Sequence, residues 1–162
     1  VISLKQEEPM QALELKIPPV VLVALFALAM WLLAQLVPPL ALPLDWRLVL
    51  AGIFAGAGIA VALSGVLAFR RANTTVDPRV PQQSSSLVIR GIYRYSRNPM
   101  YVGFLLLLMA WAFYLTSVAA FLLLPLFVLY MNRFQIAPEE RFLLQKFGAE
   151  YQAYLTRVRR WL

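Results

Sequence analysis

The chain has 162 residues, 61% of them hydrophobic and 14% charged, a balance that excludes an ordinary soluble domain and points to an integral membrane protein. It contains neither cysteine nor histidine, which excludes disulfides, thiol nucleophiles, haem-ligating histidine, the usual zinc sites and Ser-His-Asp catalysis. A net charge of +7 would favour nucleic acid in a soluble protein, but here the basic residues border apolar segments, where topology and anionic lipid account for them. Neither a nucleic-acid partner nor a metal is expected.

The first 16 residues carry at most an interfacial helix. Residues 17–37 (IPPVVLVALFALAMWLLAQLV) run without a charge for long enough to cross about 30 Å of hydrocarbon as a helix. The following PPLALPLDW has no small-residue cleavage site, so this segment is read as a retained first span. Residues 48–69 form the second span, in which Gly52, Gly56, Ala60, Ser64 and Ala68 place a small residue at every fourth position. That ridge is expected to let a neighbouring helix approach closely. The glycines of AGAGIA are not a dinucleotide fingerprint, because no strand precedes them and the spacing is wrong.

Residues 70–98 are a loop by composition, with Pro78, Pro81 and a serine run. Spans three and four, 99–115 and 117–134, are joined around Thr116 and Ser117, a link so tight that it predicts a helical hairpin. Pro125 is expected to kink the last span. From Pro138 a helical pattern resumes, with Leu143, Phe147, Tyr151, Tyr154 and Val158 near one face, and Gly148 is expected to end one helix before another begins. Arg157, Arg159, Arg160 and Trp161 read as an interfacial anchor that lays the tail along the membrane surface.

Fourteen of the fifteen Lys and Arg residues fall before the first span, in the 70–98 loop or after residue 132; Arg47 alone is on the other side. The positive-inside rule makes the crowded side cytoplasmic, with both termini there. The expected architecture is an all-α integral membrane protein, one domain over 1–162, in the cytoplasmic (inner) membrane. About four transmembrane helices are followed by a C-terminal interfacial segment, 137–162, capping a site at the cytoplasmic face.

Two stretches carry the chemistry. In GIYRYSRNPMYVGF, residues 91–104, Asn98 suits an N-cap and Pro99 the first helical position. Taken singly, Tyr93, Tyr95 and Tyr101 fit interfacial tyrosines, and Arg90, Arg94 and Arg97 fit topology determinants. Taken together they offer a helix N-terminus and guanidinium forks for a carboxylate, with aromatic faces for a cation. Gly103 costs helix stability unless another helix or a ligand needs to come close. In the second stretch, Glu139 and Glu140 follow Pro138 as first-turn acids, or as acceptors for hydroxyls or an ammonium; a zwitterionic ligand would want both stretches. No Asp, Glu, Lys or Arg lies inside the four apolar cores, which argues against an ion-coupled transporter.

SSSLVIRGIYRYSRNPMYVGF, with EERFLLQKFGAEYQAYLTRVRRW after it, resembles the superfamily of isoprenylcysteine carboxyl methyltransferases and phospholipid methyltransferases, over about residues 73–162. The resemblance implies S-adenosylmethionine bound at the cytoplasmic face outside any Rossmann fold, S-adenosylhomocysteine as product, and a lipidic or small hydrophobic acceptor entering from the bilayer. Arg97, Pro99, Tyr101 and Gly103 fall on the family's cofactor-binding stretch, which Tyr93 and Asn98 extend. Glu139 and Glu140 match its acidic pair, and Tyr151 and Tyr154 belong to the cap. This chain has Asn98 where many members carry histidine, and Arg159 where a proline usually follows the valine. Methyl transfer is an in-line displacement that needs no metal and no covalent intermediate, so a chain without Cys or His is equipped for it. The catalytic candidates are Glu139, as base towards an amine acceptor, and Arg133, orienting an anionic one. The alternatives are a non-catalytic scaffold or anionic-lipid-binding protein, and an oligomeric transporter.

Overall fold

A computed structural model describes residues 14–72 and 86–162. Most of the interfacial helix expected over 1–16 and the middle of the 70–98 loop, with Pro78 and Pro81, lie outside the described residues. The described residues are helix, turn and irregular segments, with no strand.

Helix α1, Pro19–Ala34, opens on proline, whose fixed φ and missing N–H suit a first turn. Helix α2, Leu44–Arg71, has Asp45 in its first turn and Arg70 and Arg71 in its last, each matched to the sign of the helix dipole there. Helix α3 covers the expected 99–115, Pro99–Leu115, and ends where Thr116 turns left-handed at φ +50. Ser117, extended at φ −117, reverses the chain into α4, Val118–Tyr130, which completes the hairpin. A π-helical turn, Met131–Ile136, then leads without a break into α5, Ala137–Arg157. Gly148, at φ +50 and ψ −122, interrupts the helical conformation of α5 where a glycine stop was expected.

Among the described residues, two helical runs are long and apolar enough to cross a membrane: α2, and the 40-residue run Val118–Arg157. Helices α1 and α3, of 16 and 17 residues, are apolar but shorter. At 1.5 Å per residue each is about 25 Å long, a little less than the hydrocarbon core.

Helix α3 is central, packing on α1, α2 and α4. Its closest approach is to α2. A Cβ on Gly103 would stand 2.7 Å from both the Ala62 Cβ and the Gly58 carbonyl, and one on Gly58 would stand 2.8 Å from the Gly103 carbonyl. The helix-contact reading of Gly103 therefore accounts for its missing side chain. The ridge expected from the sequence is not the one used: Gly52 and Gly56 have nothing within 4 Å, and Ala60 and Ser64 are exposed. The reason is phase. Steps of four overshoot a turn and drift around the helix, whereas Gly58, Ala62 and Gly65 step by four and then three and hold one stripe. Elsewhere Phe26 packs edge-on to Phe127 at 5.3 Å, and the Trp111 indole donates to the Ala27 carbonyl at 3.0 Å.

Pro138 explains a further contact. A proline has no N–H, so the carbonyl of Phe134, four residues earlier, lacks its usual α-helical donor. The backbone N–H of Leu15 donates to it at 3.0 Å, tying the segment before α1 to the π turn.

The tail also packs on the rest of the chain. The Trp161 indole donates to Asn132 Oδ1 at 2.9 Å, and the ring packs on the core cluster. The Arg97 N–H donates to the Arg159 carbonyl at 2.9 Å, and Asn98 Nδ2 to the Arg160 carbonyl at 2.9 Å. Asn98 makes no side-chain cap at the start of α3, contrary to expectation; the contact its side chain makes is the one Nδ2 donates to the tail.

Candidate functional site

The two stretches singled out from the sequence meet where the segment before α3 passes under α5 and the tail. Gly91, at φ +63, allows the turn into a short 3₁₀ helix, Gly91–Arg94, that turns Tyr93 inward. Pro99 then fixes the start of α3, and Tyr101 follows it, 3% exposed.

Three linked groups of side chains result. In the first, Glu139 Oε1 accepts from the Tyr101 hydroxyl at 2.6 Å and from Gln135 Nε2 at 2.6 Å. Desolvation by burial pushes the Glu139 carboxyl up to about 8; the two hydrogen bonds pull it down and the Glu140 charge pushes it up further. In the second, Glu140 lies between two arginines. Arg97 Nη2 is 3.2 Å from its Oε1, while Arg160 donates from Nε to Oε1 at 3.1 Å and from Nη2 to Oε2 at 2.5 Å. Arg97 also donates to the Leu155 carbonyl at 3.3 Å, and its Nε is buried without a hydrogen-bond partner. In the third, the Tyr154 hydroxyl donates to the Tyr93 carbonyl at 2.7 Å, and the Tyr151 and Tyr154 rings are 6.0 Å apart. Burial raises the phenol pKa values of Tyr93, Tyr151 and Tyr154; Glu140 raises that of Tyr151 further, and Arg97 opposes the shift in Tyr151 and Tyr154.

Beside Tyr154 opens a cavity of about 520 Å³ lined by Ile89, Arg90, Gly91, Arg94, Tyr154, Arg157 and Val158. Its size is that of a small-molecule site. Its three arginines, with no acid in the lining, make it positive.

The structure thus brings together Tyr93, Arg97, Tyr101, Glu139, Glu140, Tyr151 and Tyr154, with Asn98 and Pro99 at the hinge beneath them. It does not bring Gly103, which faces α2, or Arg133, which pairs with Glu14 at 2.7 Å. Two participants escaped the sequence reading. Gln135 is 3% exposed, and its spacing of four before Glu139 on a helical run was the available signal. Arg160 was absorbed into a supposed anchor, and nothing in its spacing pointed to Glu140, twenty residues away.

A family model described as phospholipid methyltransferase matches residues 46–150. An uncharacterized protein of Haemophilus influenzae is 49% identical over 63 residues, which make up 39% of this chain and the whole of that protein. No solved structure matches the chain.

Proposed function

The chain belongs to the phospholipid methyltransferase family, and from that premise we propose that it transfers a methyl group from S-adenosylmethionine to a lipidic acceptor at the cytoplasmic face of the inner membrane. The family implies a membrane-associated methyltransferase with a lipid-type substrate. The cofactor, the four-span topology, the single domain, the cap and the site residues are our reading.

The observation that carries it is the junction of opposite charges under the tail: Glu139 and Glu140 side by side, Arg97 and Arg160 on Glu140, and buried tyrosines around them. This donor set fits an amino-acid nucleoside bearing a sulfonium. Arg97, with an unpartnered buried Nε, and Arg160 suit its carboxylate. The two glutamates suit its ammonium and ribose hydroxyls, and the faces of Tyr93, Tyr101, Tyr151 and Tyr154 suit a cation. When bound, S-adenosylmethionine supplies a methyl group activated on sulfur. The protein's part is to hold donor and acceptor in line and to exclude water, which α5 and the tail do by covering the site. Glu139 takes the proton from an amine acceptor once it is ionised; an acceptor that is already anionic needs no base.

Calorimetric titration of S-adenosylhomocysteine into detergent-purified protein tests this. Saturable binding, abolished in Glu140→Ala, is expected; folded wild-type protein that takes up no ligand would remove the proposal. The three arginines around the cavity favour a second reading, a non-catalytic protein that recognises anionic headgroups. It predicts liposome binding that fades with salt and no nucleoside affinity.

A further inference from the structure

Outside that site lies a second charged constellation, which takes in Arg133, the residue expected from the sequence to orient an anionic acceptor. Arg133, on the π turn, and Arg141, on α5, converge on the carboxylate of Glu14, each guanidinium taking one oxygen. Arg133 Nη1 is 2.7 Å from Oε1, and Arg141 Nη2 contacts Oε2. The arginine side chains are 41% and 55% exposed, whereas the Glu14 side chain is only 12% exposed. An acid has been drawn into a cleft between two open guanidiniums.

Glu14 is held there by a strained chain. Leu15, which follows it, has φ +57, a left-handed conformation that a bulky side chain disfavours. Its N–H bonds the Phe134 carbonyl, which Pro138 leaves without its α-helical donor. The segment is therefore attached by an ion pair and a borrowed hydrogen bond, against backbone strain that its release would relieve.

Two guanidinium forks spaced for the two oxygens of one anion suit a phosphate at least as well as a carboxylate. In sequence the forks flank the acidic pair, Arg133 two residues before Gln135 and Arg141 two after Glu139, a spacing that on a helical run turns them to a different face from it. We infer that Arg133 and Arg141 form a subsite for the phosphate of the methyl acceptor, and that Glu14 occupies it in the resting chain and is displaced when a phosphate-bearing lipid arrives. This rests on the lipid methyltransferase reading for its meaning, but not for its test.

The chain has no cysteine, so Lys16→Cys, at an exposed position, takes a single nitroxide label. In maltoside micelles and chloride buffer, dioleoylphosphatidylethanolamine should raise the label's mobility, while dioleoylglycerol, with the same chains and no phosphate, should not. With Arg133→Ala and Arg141→Ala the label should be mobile from the outset and indifferent to lipid. Mobilisation by inorganic phosphate alone would support the subsite with free phosphate as its ligand; mobilisation by the phospholipid only assigns it to a headgroup. In methyl-transfer assays Glu14→Gln should lower KM for the phospholipid severalfold, and the double arginine variant should raise it about tenfold, the loss of a charge-assisted contact. S-adenosylhomocysteine affinity should not change in either variant, which also certifies that they fold. A label blind to both phospholipid and phosphate, with KM unchanged in Glu14→Gln, would overturn the inference and leave Glu14 as a structural latch. Absence of S-adenosylhomocysteine binding in the wild type would instead sink the proposed function while the label's response stood.

Discussion

Replacing Glu139 by glutamine isolates the carboxyl that we propose as the base. Glutamine keeps the length and an oxygen to accept from Tyr101 and Gln135, and it abolishes titration. The folded-state pKa of about 8 lies above the ordinary 4.5, so between these values the folded protein holds a proton that the unfolded chain releases. The stabilisation is complete below about pH 4.5 and is lost as pH rises through about 8. The shift corresponds to about 5 kcal/mol as an upper bound, which the residual exposure of Glu139 lowers. Thermal unfolding in detergent from pH 5 to 9 should show wild-type stability falling with pH, and Glu139→Gln should remove most of that slope. A ligand ammonium beside Glu139 would favour its ionised form, so wild-type protein should release a proton on binding S-adenosylhomocysteine near pH 7. Calorimetry in buffers of different ionisation heat reads this directly. Parallel stability profiles for the two proteins, or a wild-type profile rising with pH, would refute the assignment of a raised pKa to Glu139.

Three further outcomes follow from the packing. Gly103→Ala should destabilise by about 1–3 kcal/mol, because its Cβ meets backbone atoms of α2, whereas Gly52→Ala, in open space, should be neutral or stabilise by up to about 1 kcal/mol; paired thermal melts compare them. Arg97→Ala and Arg160→Ala should each cost about 1–3 kcal/mol, since each leaves the largely buried Glu140 carboxylate short of a partner; denaturant titrations in which neither variant loses stability would contradict this. Tyr154→Phe should lose about 1 kcal/mol with its bond to the Tyr93 carbonyl and speed hydrogen exchange in residues 91–96, which mass spectrometry reads.

Legibility in the sequence followed the range of the interaction. The helices were legible because they are local: uncharged apolar runs, Pro99 at a helix start and Gly148 at an interruption each act within a few residues. The acidic pair and the tyrosines were legible as types of residue. What was not legible was pairing across the fold. Asn98 has the composition of an N-cap, yet its amide is taken by the Arg160 carbonyl, 62 residues away. The small-residue ridge was read at one period, while the contact face follows a mixed one that becomes apparent only once the partner helix is in place. The π turn had no sequence signal beyond Pro138, and it is this turn that carries Gln135 and Arg133.

The two departures from the family's pattern bear on the same clamp between the segment before α3 and the tail. Proline after a valine imposes an extended conformation on that valine. Val158 is extended without it, at φ −123 and ψ 133, because the Arg97 N–H and the Asn98 amide hold the next two carbonyls in place. Hydrogen bonds from α3's leading segment thus do the work of a proline ring, and the path of the tail survives its absence. Histidine at position 98 would titrate near neutral pH and couple the clamp to protonation, whereas asparagine has no titrating group. In a chain with no histidine, neither of these two hydrogen bonds contains a side chain that titrates near neutral pH, and the group in the site shifted into the neutral range is Glu139. Any activity change between pH 6 and 9 should therefore report ionisation at Glu139 rather than loosening of the tail.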